Sequence, residues 1–216
     1  MLTAFIHGFI LALGLILPLG AQNVFVLQQG AMQPRFLRAL PAVLTAALCD
    51  TALILLAVLG VSVVVFTMPW LQTILFAVGF FFLLYMGWTV WKSQPSSAND
   101  QGSMPPKKQI LFALSVSLLN PHAILDTIGM IGTNSLNYDG AEKVTFTGAC
   151  ISVSWLWFFF LAIAGKTIGQ IDQKGTLMKR INQLSALIIW AVAVYLAVEL
   201  LNNAIHKRFT LKNVIL

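Results

Sequence analysis

The chain has 216 residues and a net charge of +6; 58% of its residues are hydrophobic and only 9% are charged. Its mean hydropathy is +0.85. This composition excludes an ordinary soluble domain and is typical of a membrane protein that crosses the bilayer several times. The net charge does not indicate nucleic-acid binding, because the basic residues lie between apolar segments, where cytoplasmic retention and anionic lipids explain them.

In chain order, six apolar segments predict an all-α bundle of about six transmembrane helices, at about 20 residues for each span. The predicted spans cover roughly residues 2–30, 39–66, 70–91, 109–133, 144–165 and 181–205. They divide the chain into a first three-span repeat, a flexible linker rich in Ser, Pro and Gly, a second three-span repeat and a basic tail: residues 1–92, 93–108, 109–205 and 206–216. If the fourth segment were re-entrant, only five spans would remain and the termini would lie on opposite sides.

The basic residues predict the orientation. The side that holds the loops after the first, third and fifth spans, here called side B, carries nine Lys and Arg residues: Arg35, Arg38, Lys92, Lys107, Lys108, Lys166, Lys174, Lys179 and Arg180. The opposite side, side A, holds both termini and carries only Lys143, Lys207, Arg208 and Lys212. The positive-inside rule therefore predicts that side B is cytoplasmic.

Two spans are interrupted by helix-breaking residues. Pro18 and Gly20 lie in the middle of a stretch that has no charged residue from Met1 to Gln33, and Pro121 follows Asn120 midway through the fourth span. Proline removes a backbone donor and clashes with the preceding turn, so both helices should break. Broken backbone at membrane depth is tolerated where protein buries it or where it lines a wet cavity, and a pair of such breaks indicates the binding site of a transporter. The alternative is a packing kink that binds nothing.

An internal repeat is consistent with these breaks. A shift of 103 residues places Pro18 on Pro121 and Asn23 on Asp126, and it superimposes the order broken span, long span, long span. Because each half has an odd number of spans, the second half must lie inverted relative to the first. A chance resemblance between six apolar segments is the alternative.

Asp50 and Asp126 are the two acidic residues near the centres of spans. An acidic residue at a helix centre costs about 2.5–3.5 kcal/mol on insertion scales, so neither side chain should face lipid. No Lys or Arg lies within a predicted span to balance them. They either join helices as neutral, hydrogen-bonded acids or line a cavity and bind a cation or a proton.

The breaks provide positive polarity. Each restarting half-helix presents unpaired N–H groups that suit a carboxylate, and amide side chains lie close by at Gln22, Asn23 and Asn120. His122 either relays protons or caps the restarting helix. Helix N-termini combined with two carboxylates fit a zwitterion with one additional positive charge, which is the charge pattern of a basic amino acid.

At these residues the sequence resembles the lysine/arginine exporter (LysE/ArgO) family of bacterial inner-membrane transporters. The resemblance rests on Asp50 and on two motifs, Pro18-Leu19-Gly20-Ala21-Gln22-Asn23 and Asn120-Pro121-His122-Ala123-Ile124-Leu125-Asp126-Thr127. It covers nearly the whole chain. Relatives often have a second proline where this chain has Ala21, so the first break is expected to be milder here. The resemblance implies export of arginine or lysine across the bacterial cytoplasmic membrane, with Asp50 and Asp126 matching the family's membrane-embedded acids.

The resulting prediction is a secondary transporter that exchanges a basic amino acid for protons and uses no cofactor, with a homo-oligomer as one option for its assembly. No Gly-x-x-x-x-Gly-Lys-Ser/Thr motif is present to indicate direct use of ATP. The main alternative is a thiol–disulfide electron carrier, because Cys49 and Cys150 occupy nearly equivalent positions in the two halves. No Cys-x-x-Cys motif supports that alternative. A membrane-embedded hydrolase would lack a Ser/His pair or a metal-ligand cluster.

Overall fold

The computed structural model describes all of the chain except residues 19, 62–68, 93–103, 119, 173–174 and 215–216. For residues 61, 69, 71–72, 75, 121–122, 125, 199 and 202–214 it describes the backbone only. The described part is all-helical, as predicted. Its main helices are α1 (Leu2–Ile16), α2 (Ala21–Met32), α3 (Leu40–Leu56), α4 (Pro69–Lys92), α5 (Pro106–Leu118), α6 (Pro121–Asp126), α7 (Gly140–Ile171) and α8 (Thr176–Val214).

Proline marks the beginning of several of these helices. α4, α5 and α6 begin at Pro69, Pro106 and Pro121, and α3 has Pro41 in its first turn. Proline is tolerated at the first helical position because its missing N–H would have no partner there. Pro121 therefore begins the second half of the fourth segment.

Helix boundaries differ from the predicted spans at several points. α7 extends to Ile171, so Lys166 lies within the helix and not in the loop that was predicted to begin there. α5 begins at Pro106, inside the predicted linker, most of which lies outside the described residues. The backbone of α8 continues through the predicted basic tail as far as Val214. Apolar residue counts set the minimum length of a span but do not show where a helix ends in water.

Wider π-helical turns continue two of the helices. One covers Ala57–Val61 after α3 and contains Gly60 with a φ of 96°, and the other covers Thr127–Gly132 after α6. The two turns pack against each other. Glycine is the residue that adopts a positive φ without steric cost, so Gly60 allows the end of α3 to turn.

Three of the described helices are long and apolar enough to cross a bilayer: Leu40–Gly60, Gly140–Ile171 and Thr176–Val198. α1 and α2 together make a fourth candidate, bent by 80° at the break. The chain is thus a multi-pass membrane bundle, and the break at Pro18 is sharp despite Ala21. The count of six spans in two inverted repeats remains a prediction.

The two halves of the broken first span lie along the whole length of α7. The amino terminus of Met1 is 2.5 Å from Glu142, and a Cβ at Gly8 would lie 2.6 Å from the carbonyl oxygen of Phe146. At the other end, α2 contacts Gly165 and Gly169 of α7. Small residues let helices in a bilayer approach closely. α1 and α2 therefore pack against opposite ends of α7.

The remaining helices complete the bundle around this core. α4 packs against α8, where Gly87 leaves room for the indole of Trp190, and α3 packs between α5 and α7. Trp190 Nε1 donates to the carbonyl oxygen of Leu84 at 3.4 Å. Large apolar side chains such as Leu111, Leu156 and Val194 remain exposed on the outside, as expected for a surface that faces lipid.

Polar contacts connect the helix ends of side B. Lys166 Nζ donates to the carbonyl oxygens of Gln33 and Pro34, both at 2.9 Å. The Gln109 amide donates to the carbonyl oxygen of Arg38 at 2.9 Å and to that of Met104 at 2.8 Å. Lys166 and Arg38, which the sequence assigned to side B, thus lie at helix ends that these contacts join, and Lys166 is at the opposite end of α7 from Glu142. Which end is cytoplasmic remains a prediction.

Candidate functional site

A cavity of about 150 Å³ lies where the two breaks meet the middle of the bundle. Both breaks contribute to its wall, together with α3, α4, α7 and α8. Its polar lining includes Gln22, Asn23, Asp50, Asn120, Asp126, Thr127 and Ser154, and its apolar lining includes Ile54, Leu83, Phe158, Ile188, Ile189 and Val192. The structure therefore brings together five of the six residues predicted to bind substrate.

Asp50 is partly buried in the cavity wall and holds together three helices. Its Oδ1 accepts a hydrogen bond from Gln22 Nε2 of α2 at 3.1 Å, and its Oδ2 accepts one from Ser154 Oγ of α7 at 3.0 Å. Both donors are neutral. Among the described residues no Lys, Arg or His forms an ion pair with this carboxylate or lines the cavity. The negative charge of an ionised Asp50 is thus stabilised by two neutral hydrogen-bond donors, and none of the described side chains supplies a counter-ion.

Asp126 is the last residue of α6 and lines the same cavity from the second break. Thr127, the next residue, also lines it. The structure places Asp50 and Asp126 on one cavity. A cation in this cavity would be attracted by both.

Asn23 stabilises the first break. Its Nδ2 donates to the carbonyl oxygen of Ile16 at 2.7 Å and to that of Pro18 at 2.9 Å. These carbonyls are at the C-terminal end of α1, where intrahelical partners are missing. Both amide hydrogens of Asn23 are therefore used by the backbone, which leaves its oxygen as the group that is able to meet a ligand.

The N-termini of the two restarting half-helices differ. Gly20, the N-cap residue of α2, has extended backbone and provides no side-chain cap, so the first N–H groups of α2 have no capping partner. Gly20, Ala21, Gln22 and Asn23 all line the cavity. At the second break, the side chain of Asn120 accepts a hydrogen bond from the backbone N–H of Ala123 at 3.5 Å, a long cap. The uncapped N-terminus at the cavity is therefore that of α2.

His122 is the sixth residue predicted to bind substrate, and its side chain lies outside the described residues. The same holds for the side chain of Pro121, although the backbone of Pro121 begins α6 as predicted. Pro18 and Gly20 both lie at the cavity. Within the described part, no group of three His, Cys, Asp or Glu side chains is arranged to hold a metal ion.

Ser154 is a polar residue of the site that the sequence analysis missed. It lies on α7, is 4% exposed, and hydrogen-bonds to Asp50 from 104 positions along the chain. The next pair with this separation is also bonded, because Trp155 Nε1 donates to Thr51 Oγ1 at 3.0 Å. A shift of 104 residues would have aligned Ser154 with Asp50, but a single serine in an apolar span gives no signal by itself.

Both cysteines are buried and free. Cys150 packs beside α1, and its thiol donates to the carbonyl oxygen of Gly8 at 3.4 Å. The pair does not form a disulfide in this structure.

Comparison with known proteins identifies the family. The profile described as LysE type translocator matches residues 13–200, which is most of the chain. The chain belongs to the LysE type translocator family. The resemblance that the two break motifs indicated is thus confirmed, and the chain is a translocator and not an enzyme.

Relatives within the LysE family match over almost their whole length. YisU of Bacillus subtilis (strain 168), provisionally named an amino-acid transporter, is 57% identical over 203 residues, covering 94% of this chain and 92% of YisU. The arginine exporter protein ArgO of Salmonella typhimurium (strain LT2) is 33% identical over 204 residues, covering 92% of this chain and 95% of ArgO. ArgO of Enterobacter sp. (strain 638) is 31% identical with the same coverage. No solved structure matches the chain.

Proposed function

We propose that this LysE-family protein exports a basic amino acid, arginine or lysine, across the bacterial cytoplasmic membrane in exchange for protons. The observation that carries the proposal is Asp50, a carboxyl group at a central cavity that has two neutral donors and no described cation as a partner. Asp126 lines the same cavity as a second acidic residue. The ArgO relatives, which are named arginine exporters, support the same substrate class.

The α-carboxylate of the substrate binds at the N-terminus of α2. Its first N–H groups lack a side-chain cap, and the residues that carry them line the cavity. The positive end of the helix dipole adds to the attraction for an anion. Asn120 already caps the start of α6, so that end competes less well for the carboxylate.

The cationic side chain of the substrate lies between Asp50 and Asp126. A charge-assisted hydrogen bond contributes about 1.5–3 kcal/mol, roughly twice that of a neutral pair, so two carboxylates discriminate well against uncharged side chains. When no cation is bound, a proton neutralises the charge at lower cost than an unpaired carboxylate in the membrane. Alternation between proton and cation at the same acids gives exchange.

An inverted repeat of three spans in each half supports alternating access around this cavity. The α3–α7 contact joins residues 104 positions apart, at Asp50–Ser154 and at Thr51–Trp155. This separation differs by one residue from the 103-residue shift of the repeat, so the contact joins nearly equivalent positions, as expected near a pseudo-two-fold axis between the two halves. The packing of α1 and α2 on α7 has its counterpart in the packing of α5 on α3. In this arrangement the cavity lies at the axis.

Uptake into inverted membrane vesicles tests the proposed function. We expect labelled arginine or lysine to accumulate when the vesicle interior is made acidic, and threonine or leucine to accumulate little. Asp50→Asn should abolish the accumulation. Asp139→Asn is the matched control, because Asp139 is exposed at the start of α7 and provides no side-chain cap.

Uptake of neutral amino acids alone, or uptake that ignores the pH gradient, would contradict the substrate or the coupling respectively. The thiol-carrier alternative is tested in the same vesicles with the double variant Cys49→Ser/Cys150→Ser. A transporter should keep its accumulation of basic amino acids in this variant, whereas an electron carrier has no remaining redox group.

A further inference from the structure

We infer that Ser154 is a positioning residue for the coupling proton: its hydroxyl group reverses from donor to acceptor when Asp50 is protonated. This inference rests on the proposed proton exchange and names the atom that carries the proton, Oδ2 of Asp50. The following observations support it.

The two oxygens of Asp50 have partners of different chemical character. Oδ1 accepts from the amide nitrogen of Gln22, and Oδ2 accepts from the hydroxyl group of Ser154. An amide NH₂ group is only a donor, whereas a hydroxyl group donates one hydrogen bond and accepts others. A proton added to the carboxyl group must find an acceptor, because an unpaired O–H in a dry environment is costly.

Gln22 is unable to provide that acceptor in its observed position. Its Nε2 also donates to the carbonyl oxygen of Ala46, at 3.5 Å. Rotating the amide by 180° would bring the Gln22 oxygen against this carbonyl, so that two acceptors would face each other. Gln22 is also 8% exposed, which leaves it little room to move away. Oδ1 therefore keeps its hydrogen bond from Gln22 in both protonation states.

To reverse, Ser154 must turn its own proton to another acceptor, because in the observed rotamer its hydroxyl donates to Asp50 Oδ2. In a helix, Ser and Thr hydroxyls readily donate to the carbonyl oxygen four residues earlier. On the same helix, Ser152 and Thr147 already do so, at 2.7 Å in both cases. The equivalent acceptor for Ser154 is the backbone carbonyl of Cys150. When Oδ2 gains a proton, Oδ2–H donates to Ser154 Oγ, and the Ser154 hydroxyl turns to Cys150.

Other titratable groups near Asp50 are few. Asp126 faces the same cavity from α6, and the thiol of Cys49 is adjacent in sequence on α3. No described Lys, Arg or His lines the cavity. A bound cation is thus the group that favours the ionised carboxylate and expels the proton, after which Ser154 turns back to donate to Oδ2. The proton and the substrate cation thus replace one another at Asp50. In both states each polar atom of its carboxyl group keeps a hydrogen-bond partner.

Two modes of transport distinguish a role of Ser154 in positioning the coupling proton from a purely structural role. Net uptake driven by a pH gradient requires Asp50 to take up and release a proton, whereas arginine–arginine exchange across the membrane uses the ionised form throughout. In Ser154→Ala the protonated Asp50 lacks its acceptor, and we expect net uptake to fall by about tenfold to a hundredfold, the range that corresponds to leaving a buried donor unpaired. Exchange should stay within about threefold of the parent. Ser154→Thr keeps a hydroxyl group and should restore most of the net uptake.

Thr51→Val is the matched control. It removes the acceptor of the Trp155 indole at the same α3–α7 contact but leaves Asp50 untouched. If Ser154 merely joins two helices, Ser154→Ala and Thr51→Val will lower both modes together, and the inference is wrong. If the parent protein moves no basic amino acid in either mode, the proposed function itself fails, and the readout below still tests Ser154.

Infrared difference spectroscopy reports on the proton directly, without transport. We expect a carbonyl band of a protonated carboxyl group that disappears in Asp50→Asn and changes its frequency and its pH midpoint in Ser154→Ala. Thr51→Val should leave that band unchanged. A band that is identical in the parent and in Ser154→Ala would overturn the inference. If the alanine variant fails to insert, Ser154→Cys, with its much weaker hydrogen bonding, replaces it in the same measurement.

Discussion

Gly165 of α7 and Leu27 of α2 are in direct backbone contact: a methyl group added to the Gly165 α carbon would overlap the carbonyl oxygen of Leu27. Gly30 and Gly169 make similarly close contacts with Ala162 and Ala31 on the opposite helix. This contact holds the second half of the broken span against α7 near side B. The position of the uncapped N-terminus of α2 at the cavity therefore depends on glycines one or more helical turns away from it.

We predict that Gly165→Ala lowers the stability of the folded protein by about 1–3 kcal/mol, the usual cost of overpacking, because backbone atoms do not move aside. Thermal unfolding in detergent should show a lower midpoint. Gly148→Ala on the same helix is the control, since no atom lies within 4 Å of its added Cβ. The control should be neutral or stabilising by up to about 1 kcal/mol. Equal midpoints for the two variants would mean that the α2–α7 contact is loose.

Asn23→Asp should disrupt the first break. The substitution keeps the shape of the side chain but replaces both N–H donors to Ile16 and Pro18 with an acceptor. The Ile16 carbonyl oxygen loses the donor from Asn23, the Pro18 carbonyl oxygen keeps only the Gly20 N–H, and both then face a carboxylate, so we expect a lower unfolding midpoint as well as lost transport. Asn134→Asp is the control, because Asn134 donates once to Met130 in an exposed position. If Asn23→Asp keeps the parental stability and only raises the KM for the substrate, Asn23 serves substrate binding and does not stabilise the break.

Substitutions of the two acids, Asp50 and Asp126, should lower transport to different extents. Asp50→Asn and Asp126→Asn should each reduce arginine uptake at sub-saturating substrate by roughly tenfold to a hundredfold, the loss of one charge-assisted hydrogen bond. Glutamate at either position should restore part of the activity, since the charge returns with a displaced carboxylate. Because Asp50 is proposed to carry the coupling proton, Asp50→Asn should lose pH-driven net uptake altogether, and its roughly tenfold to hundredfold reduction should appear in arginine–arginine exchange instead. Near-parental uptake by both Asn variants, at normal amounts in the membrane, would contradict the role of the acids.

The orientation can be tested with a pair of single cysteines in a background that lacks Cys49 and Cys150. Leu37 on side B and Leu136 on side A are both exposed, by 71% and 61% respectively. Because side B has nine of the thirteen basic residues, we expect a membrane-impermeant thiol reagent to label Leu136→Cys but not Leu37→Cys in intact cells. The opposite labelling pattern would place the termini in the cytoplasm.

Much of the fold followed from the sequence because a bilayer restricts the choice of structure. Apolar segments of sufficient length must be helical, since lipid satisfies no backbone hydrogen bond, and Pro18 and Pro121 must interrupt them. Helix ends were predicted less well. Lys166 was assigned to a loop, yet α7 continues past it, because its ammonium group finds the carbonyls of Gln33 and Pro34 at the end of the bundle.

The sequence by itself determined the membrane class, the two breaks and the two acids near the centres of spans, because these depend on the local cost of polar groups in lipid. It could not determine which groups meet. Only the tertiary structure places Gln22 and Ser154 on opposite oxygens of Asp50, and only it assigns the amide hydrogens of Asn23 to the end of α1. Such contacts join residues up to 104 positions apart, and they are decided by how the glycines of α7 let α2 approach, which no local pattern encodes.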